Sequence, residues 1–131
     1  MESSPALVRS PGVRVRCEHF GSLAWRTRPR GIYRLDAAAT TALLLHDRPR
    51  GNNIPPAAVT GLTEQEWRRA TAGLRDQGLL VPAAEAPSAI TPGDAREARQ
   101  VLRDSTPRVP VLKPLWAHIQ PFTRCNQHCV H

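Results

Sequence analysis

The distribution of proline most constrains the fold of this 131-residue chain, because seven of its thirteen prolines lie at Pro82 or beyond it. Proline lacks a backbone N–H and interrupts helices and interior strands. A continuous hydrophobic core is therefore expected only before Pro82. We predict one small domain over residues 12–82, preceded by a flexible tail over 1–11 and followed by a proline-rich linker over 83–114.

Three short strands are predicted at the start of this domain. Residues 13–19 alternate between apolar and charged side chains, which is typical of a strand with one buried face. Gly21-Ser22 predicts a hairpin turn, and Arg28-Pro29-Arg30-Gly31 predicts a second turn. The intervening and following strands are then Leu23–Thr27 and Ile32–Leu35, which completes a three-stranded antiparallel meander.

Three helices are predicted to follow the strands. Asp36 is placed to cap a helix that ends near Asp47, and a second, short helix begins after Ile54. Thr63 and Glu66 have the spacing of a capping box at the start of the third helix. Helical spacing predicts that three residues of this helix point into the core: Trp67, Ala70 and Leu74. The fold class is thus α+β, a winged-helix-like domain of three strands followed by three helices and a partly helical linker.

The linker contains a polar pattern that predicts a helix near residues 92–104. This helix has little apolar surface of its own, and prolines flank it on both sides. We therefore expect the linker to lack fixed packing against the domain.

The formal net charge of +7 is compatible with a nucleic-acid partner. The excess lies in residues 1–34, however, where seven arginines accompany two glutamates, and the third helix has mixed charges. This distribution does not favour a recognition helix that enters a DNA groove. We therefore keep a winged-helix nucleic-acid-binding module as the alternative function, in which an arginine-rich hairpin would contact phosphates. No segment approaches the roughly 20 apolar residues of a membrane span, and nothing resembles a signal peptide, so we expect a cytoplasmic protein.

The C-terminus carries Cys125 and Cys129, separated by three residues and preceded by an apolar strand pattern over Leu115–Gln120. This arrangement resembles the radical S-adenosylmethionine superfamily, in which a C-x3-C-x2-C loop after the first barrel strand binds a [4Fe-4S] cluster. The resemblance implies that residues 115–131 are the first strand and part of the cluster loop of a truncated barrel. The two cysteines would then be metal ligands.

Two other interpretations of the cysteine pair remain open. Cys125 and Cys129 form a zinc site if His128 or His131 joins them, because thiolate and imidazole are zinc ligands. Alternatively, the cysteines have no metal-binding role.

Three strands and three helices ahead of this cysteine motif resemble the peptide-chaperone family of pyrroloquinoline quinone biosynthesis, the PqqD-like RiPP recognition element. The resemblance covers residues 12–82. It implies that the domain binds the leader region of a ribosomally synthesised precursor peptide and delivers it to a catalytic radical S-adenosylmethionine domain. The chain alone is then non-catalytic and has no cofactor, whereas the parent maturase uses a [4Fe-4S] cluster and S-adenosylmethionine.

In that family the leader adds a strand between the third strand and the third helix. The implied peptide-binding residues are Ile32, Tyr33, Arg34, Leu35, Arg68, Thr71, Ala72 and Arg75. The small side chains of the helix would admit peptide side chains, and the arginines would pair with leader carboxylates. Alternatively, Arg68 and Arg75 are solvated residues, and Arg68 pairs with Glu64 four positions earlier.

Overall fold

A computed structural model describes residues 5–51 and 53–105. The elements in chain order are β1 (Leu7–Arg9), β2 (Arg14–Glu18), β3 (Gly21–Thr27), β4 (Arg30–Asp36), α1 (Ala37–Leu45), α2 (Ala57–Thr60), α3 (Glu64–Asp76), β5 (Leu80–Pro82) and α4 (Pro92–Ser105). Strands β2, β3 and β4 form an antiparallel sheet in that order, and helices follow it. The predicted α+β class and three-stranded sheet are therefore confirmed.

The prediction of a flexible tail over 1–11 is wrong for its second half, because residues 7–9 form β1. This strand pairs antiparallel with β5, and Val8 lies opposite Val81. Leu7 is buried, and its backbone N–H donates to the carbonyl of Arg50 at 2.8 Å. A three-residue strand is too short to show a period-two pattern, and its partner is distant in the sequence.

The first hairpin differs from its prediction in the position of the turn. Glu18 lies opposite Gly21, so the turn consists of His19 and Phe20 and ends where it was predicted to begin. Gly21 has a φ of 144°, and a Cβ atom there would collide with the backbone carbonyl of Leu35. Glycine is therefore required at position 21 because β4 approaches it closely, and not because the residue forms the hairpin turn.

The core lies between the three-stranded sheet and helices α1 and α3. The predicted inward positions of α3 are confirmed, since Trp67, Ala70 and Leu74 are all buried. The capping box of α3 is also present: Thr63 Oγ1 accepts from the Glu66 N–H, and Glu66 Oε2 accepts from the Thr63 N–H at 2.7 Å. These local signals fix the start and the rotation of α3.

His46 follows α1 and is buried in this core. Its Nδ1 lies 2.7 Å from the carbonyl oxygen of Ala42, so Nδ1–H is the donor, and its ring stacks on that of Trp67 at 5.7 Å between centroids. Burial lowers the pKa of His46, and the charge of Arg50 lowers it further, whereas the Ala42 carbonyl and Asp47 oppose the shift. His46 is therefore held neutral in the folded protein.

Acidification is expected to destabilise the fold through His46. Unfolding releases this side chain to water, where its pKa is about 6.5. Below that pH the unfolded chain binds a proton at His46 that the folded chain excludes. The free energy of unfolding is therefore highest above about pH 6.5 and decreases as the pH falls. Urea unfolding at neutral and mildly acidic pH should show the decrease, and His46→Gln should lose most of it. An equal pH dependence in both proteins would contradict this assignment.

The predicted linker helix is present as α4, but it does not lack packing. Ala95 and Ala98 are buried, and the helix contacts α1, α2 and β2. Two alanines on one face let helices approach closely, so a weak apolar stripe suffices when a polar contact assists it. No helix in the described ranges is long and apolar enough to cross a membrane.

Arg50 supplies that polar contact. Its side chain is only 2% exposed, and its Nε donates to the carbonyl of Leu45 at 2.8 Å. Nη1 donates to the carbonyl of Ala89 at 2.8 Å and to Asp94 Oδ2 at 3.1 Å, while Nη2 donates to Asp47 Oδ1 at 3.2 Å. One guanidinium group therefore joins the end of α1 to the start of α4.

Candidate functional site

Strand β4 is an edge of the three-stranded sheet. In the part of the chain that the structure describes, no strand pairs with its outer side. The opposite edge, β2, is contacted by α4. An edge strand leaves a row of backbone N–H and C=O groups available to a further strand. Strand addition to this sheet is consequently most accessible at β4.

A groove of about 280 Å³ lies beside this edge, between β4, α1 and α3. We call it the β4–α3 groove. Its walls are Leu35 of β4, Ala38 and Ala39 of α1, and one flank of α3. That flank consists of Glu66, Arg69, Gly73 and Gln77, next to the core residues Ala70 and Leu74.

Gly73 leaves the middle of the α3 flank open. A Cβ atom added at this position would meet nothing within 4 Å. The neighbouring wall residues Ala38 and Ala39 are also small. The groove therefore has room for a side chain from a bound molecule, with apolar atoms around it.

The two carboxylates of the groove are already engaged in helix caps. Asp36 Oδ1 accepts the N–H of Ala39 at 2.8 Å. Glu66 accepts from the backbone N–H and hydroxyl of Thr63, and these hydrogen bonds lower the pKa of Glu66. Both acids are thus committed to donors at the N-termini of α1 and α3.

The arginines of the groove differ in what they contact. Arg34 contributes to the groove wall, but its guanidinium carbon lies 3.9 Å from the centre of the Phe20 ring. Arg69 is exposed and, within the described ranges, forms neither an ion pair nor a hydrogen bond. Within the described ranges neither arginine has a carboxylate partner, and Arg69 is the one whose guanidinium also has no aromatic contact.

The predicted residues of β4 are divided between two faces of the strand. Leu35 is buried, and Tyr33 packs against the core while its hydroxyl accepts from Arg26 Nη2 at 3.1 Å. Ile32 and Arg34 are exposed on the opposite face. The groove lining includes Leu35 and also Arg34, although the side chain of Arg34 is on the outward face, whereas Ile32 is not part of it.

The four residues predicted on α3 lie outside the β4–α3 groove. Arg68 pairs with Glu64 at 2.5 Å on the helix surface, as the alternative interpretation expected, and Thr71 Oγ1 donates to the carbonyl of Trp67 at 2.9 Å. Ala72 and Arg75 are exposed. By helical spacing, Arg68, Thr71 and Arg75 are on the other flank of α3 from Arg69 and Gly73. The peptide-binding role predicted for the four residues stays a prediction.

Sequence reasoning missed Arg69, Gly73 and Gln77. These residues are four positions apart, so they form a line along α3 beside its buried residues. This spacing is the only feature of the sequence that indicates them. The opposite flank shows a similar mixture of arginine and small residues. The helical period therefore identifies the two flanks, and only tertiary packing selects the one beside β4.

The predicted metal ligands, Cys125 and Cys129, lie outside the described residues, as does the whole segment 115–131. In the described ranges, no group of three or more histidine, cysteine or acidic residues is placed to hold a metal ion. The third cysteine, Cys17, is buried in β2, and burial raises the pKa of its thiol.

No protein-family model matches the sequence, and no curated protein matches it. Among solved structures, the chain is similar to the crystal structure of Streptococcus suis SuiB bound to S-adenosylmethionine, with 14% sequence identity and a TM-score of 0.42. The similarity covers 75% of this chain and 22% of SuiB, so the chain spans about a fifth of that protein. A TM-score of this size does not establish a common fold.

Proposed function

We propose that the domain over residues 12–82 binds the leader region of a ribosomally synthesised precursor peptide and delivers it to a radical S-adenosylmethionine maturase domain. The observation that carries the proposal is the open edge of β4 beside the β4–α3 groove. An extended peptide would add a fourth strand to the sheet at this edge. The resemblance of the element order to the PqqD-like family supports the same binding mode.

The two parts of the site contribute differently to recognition. Backbone hydrogen bonds to β4 provide affinity for any extended segment, because they involve no side chains. The groove provides selectivity, since alternate side chains of an added strand point toward α3. An apolar side chain fits the space above Gly73, and a carboxylate fits the exposed guanidinium of Arg69.

Delivery depends on the sequence that follows the domain. We propose Cys125 and Cys129 as ligands of a [4Fe-4S] cluster in the parent protein. There the cluster and S-adenosylmethionine would supply radical chemistry, whereas the domain would raise the local concentration of the precursor by holding its leader. The described part of the chain is thus assigned a binding role and no catalytic step.

The winged-helix nucleic-acid alternative is less well supported by the charges of α3. Three acidic residues on this helix, Glu64, Glu66 and Asp76, offset three basic ones, Arg68, Arg69 and Arg75. A helix that enters a DNA groove is normally biased toward positive charge. Duplex DNA binding that weakens steeply with salt would favour this alternative.

Replacement of Arg69 by Ala is expected to weaken leader binding about tenfold, whereas Arg68→Ala should change it less than about twofold. The two arginines are neighbours on one helix, but only Arg69 lines the groove. The measurement is fluorescence anisotropy of the chain with a labelled peptide from a small open reading frame next to its gene. Equal losses in the two variants, or a larger loss for Arg68→Ala, would place the peptide elsewhere.

Strand addition has a second, independent signature. Peptide binding should protect the backbone amides on the outer side of β4 from hydrogen exchange, while β2 amides should change little. Saturable binding without protection in β4 would contradict the proposed mode, even if the affinity were high.

A further inference from the structure

The face of β4 that points away from the core carries a symmetric pattern of side chains. Successive strand residues alternate between faces, so Arg30, Ile32 and Arg34 share one face. Tyr33 and Leu35 point the other way, toward the core. The outward face therefore presents an arginine, an apolar residue and an arginine along an edge that is open to pairing.

This outward pattern has few partners in the described part of the chain. Ile32 is 48% exposed, one of two large hydrophobic residues with substantial exposure there. Arg30 is exposed, and neither Arg30 nor Arg34 forms an ion pair within the described ranges. The guanidinium of Arg34 packs on the Phe20 ring but has no carboxylate partner in the described ranges, so both arginines can pair with carboxylates of a ligand. Ile32 is available to an apolar side chain.

The acidic residues near this face do not neutralise it. Glu18 is buried and forms an ion pair with Arg16 of the same strand. Asp36 is engaged by the N–H of Ala39. The positive charges of Arg30 and Arg34 on either side of Ile32 can therefore pair with a ligand.

A strand added to β4 must place every second side chain on this same outward face. Directly opposite residues on adjacent strands have Cβ atoms about 5 Å apart, which is close enough for an arginine and a carboxylate to pair. On the basis of the proposed function, we infer that the bound peptide is selected on both of its faces. Its outward face carries two carboxylates four residues apart, with an apolar residue midway between them.

The spacing follows from β4 itself, because Arg30 and Arg34 are four residues apart with Ile32 between them. The pattern reads the same from either end, so it holds for a parallel or an antiparallel peptide. A shift of the register by one residue would turn both carboxylates toward the groove, where Arg69 can pair with one of them and where Asp36 and Glu66 already carry negative charge. The order of the residues in the peptide therefore matters for binding, and its amino-acid composition alone is not sufficient.

Two labelled synthetic peptides of identical composition test the inference with the full chain. One has Glu-Thr-Val-Thr-Glu at its centre, and the other has Thr-Glu-Val-Glu-Thr. We expect the first to bind on the order of tenfold more tightly, from two cross-strand charge pairs and the contact with Ile32. Equal affinities would overturn the two-faced selection while leaving peptide binding at β4 intact. Failure of both peptides to bind would overturn this inference together with the proposed function.

Variants of the chain identify the residues responsible. Arg30→Gln and Arg34→Gln should each weaken binding of the first peptide about threefold to fivefold and leave the second nearly unchanged. Arg14→Gln is the matched control, since Arg14 lies on the same face of the sheet but on β2, two strands away from β4. An equal loss in the Arg14 variant would show that only overall charge matters and would overturn the inference. Arg30 is exposed, so its variant gives the answer even if Arg34→Gln disturbs the Phe20 contact.

Discussion

Replacement of Arg50 by Ala is expected to lower the free energy of unfolding by about 3 kcal/mol. The guanidinium group is buried and donates to two backbone carbonyls and two carboxylates. Without it, the carbonyls of Leu45 and Ala89 lose their side-chain donors, and Asp94 loses its cation. Groups left unpaired at buried positions cost more than the hydrogen bonds contribute when intact.

Arg48→Ala is the matched control for this effect. Arg48 is two residues away, but its side chain is exposed and its nitrogen lies 3.8 Å from Asp47. Exposed pairs of this kind contribute at most about 1 kcal/mol. Urea denaturation should therefore separate the two variants clearly. The contribution assigned to Arg50 would be wrong if both variants unfolded at the same urea concentration.

The consequence of Arg50→Ala should be greatest around α4. Asp94 lies in the first turn of this helix, where it also accepts the N–H of Thr91 at 2.8 Å. Loss of Arg50 would leave the α4 contact with α1 dependent on Ala95 and Ala98. Limited proteolysis in the segment before α4 should accordingly become faster in this variant than in Arg48→Ala.

Arg50 also shows where prediction from the sequence stops. Arg48 and Arg50 occur together in an Arg-Pro-Arg-Gly segment that has the composition of a solvated turn. One is exposed and the other is among the most buried side chains of the described protein. The difference arises from contacts with residues about forty positions later in the chain, which no local pattern encodes.

The features that could be predicted are the ones that depend on neighbouring residues. The capping box and the core stripe of α3 each join residues only three or four positions apart, and both are observed. The pairing of β1 with β5 is distant in sequence and was missed. The same distinction applies to the candidate site, whose peptide-binding residues stay a prediction. Its strand follows from local alternation, whereas the flank of α3 that faces it follows from tertiary packing.

Gly73→Trp is expected to weaken leader binding about a hundredfold without destabilising the domain. A Cβ atom at position 73 would have no atom within 4 Å, so an indole would extend into the groove and occupy the place of a peptide side chain. Glycine is a poor residue for a helix interior, and tryptophan is better by about 0.5 kcal/mol. A loss of binding with equal or higher stability would therefore separate obstruction of the groove from unfolding.

Ala72→Trp provides the control on the same helix. Ala72 is exposed and belongs to the flank that the sequence predicted, outside the groove lining. The same bulky residue at this position should leave peptide affinity within about twofold, because it would point away from β4. Isothermal titration with the labelled leader and thermal unfolding of both variants give the comparison. If Ala72→Trp abolished binding and Gly73→Trp did not, the peptide would lie on the flank first inferred from the sequence, and the β4–α3 groove would have another role.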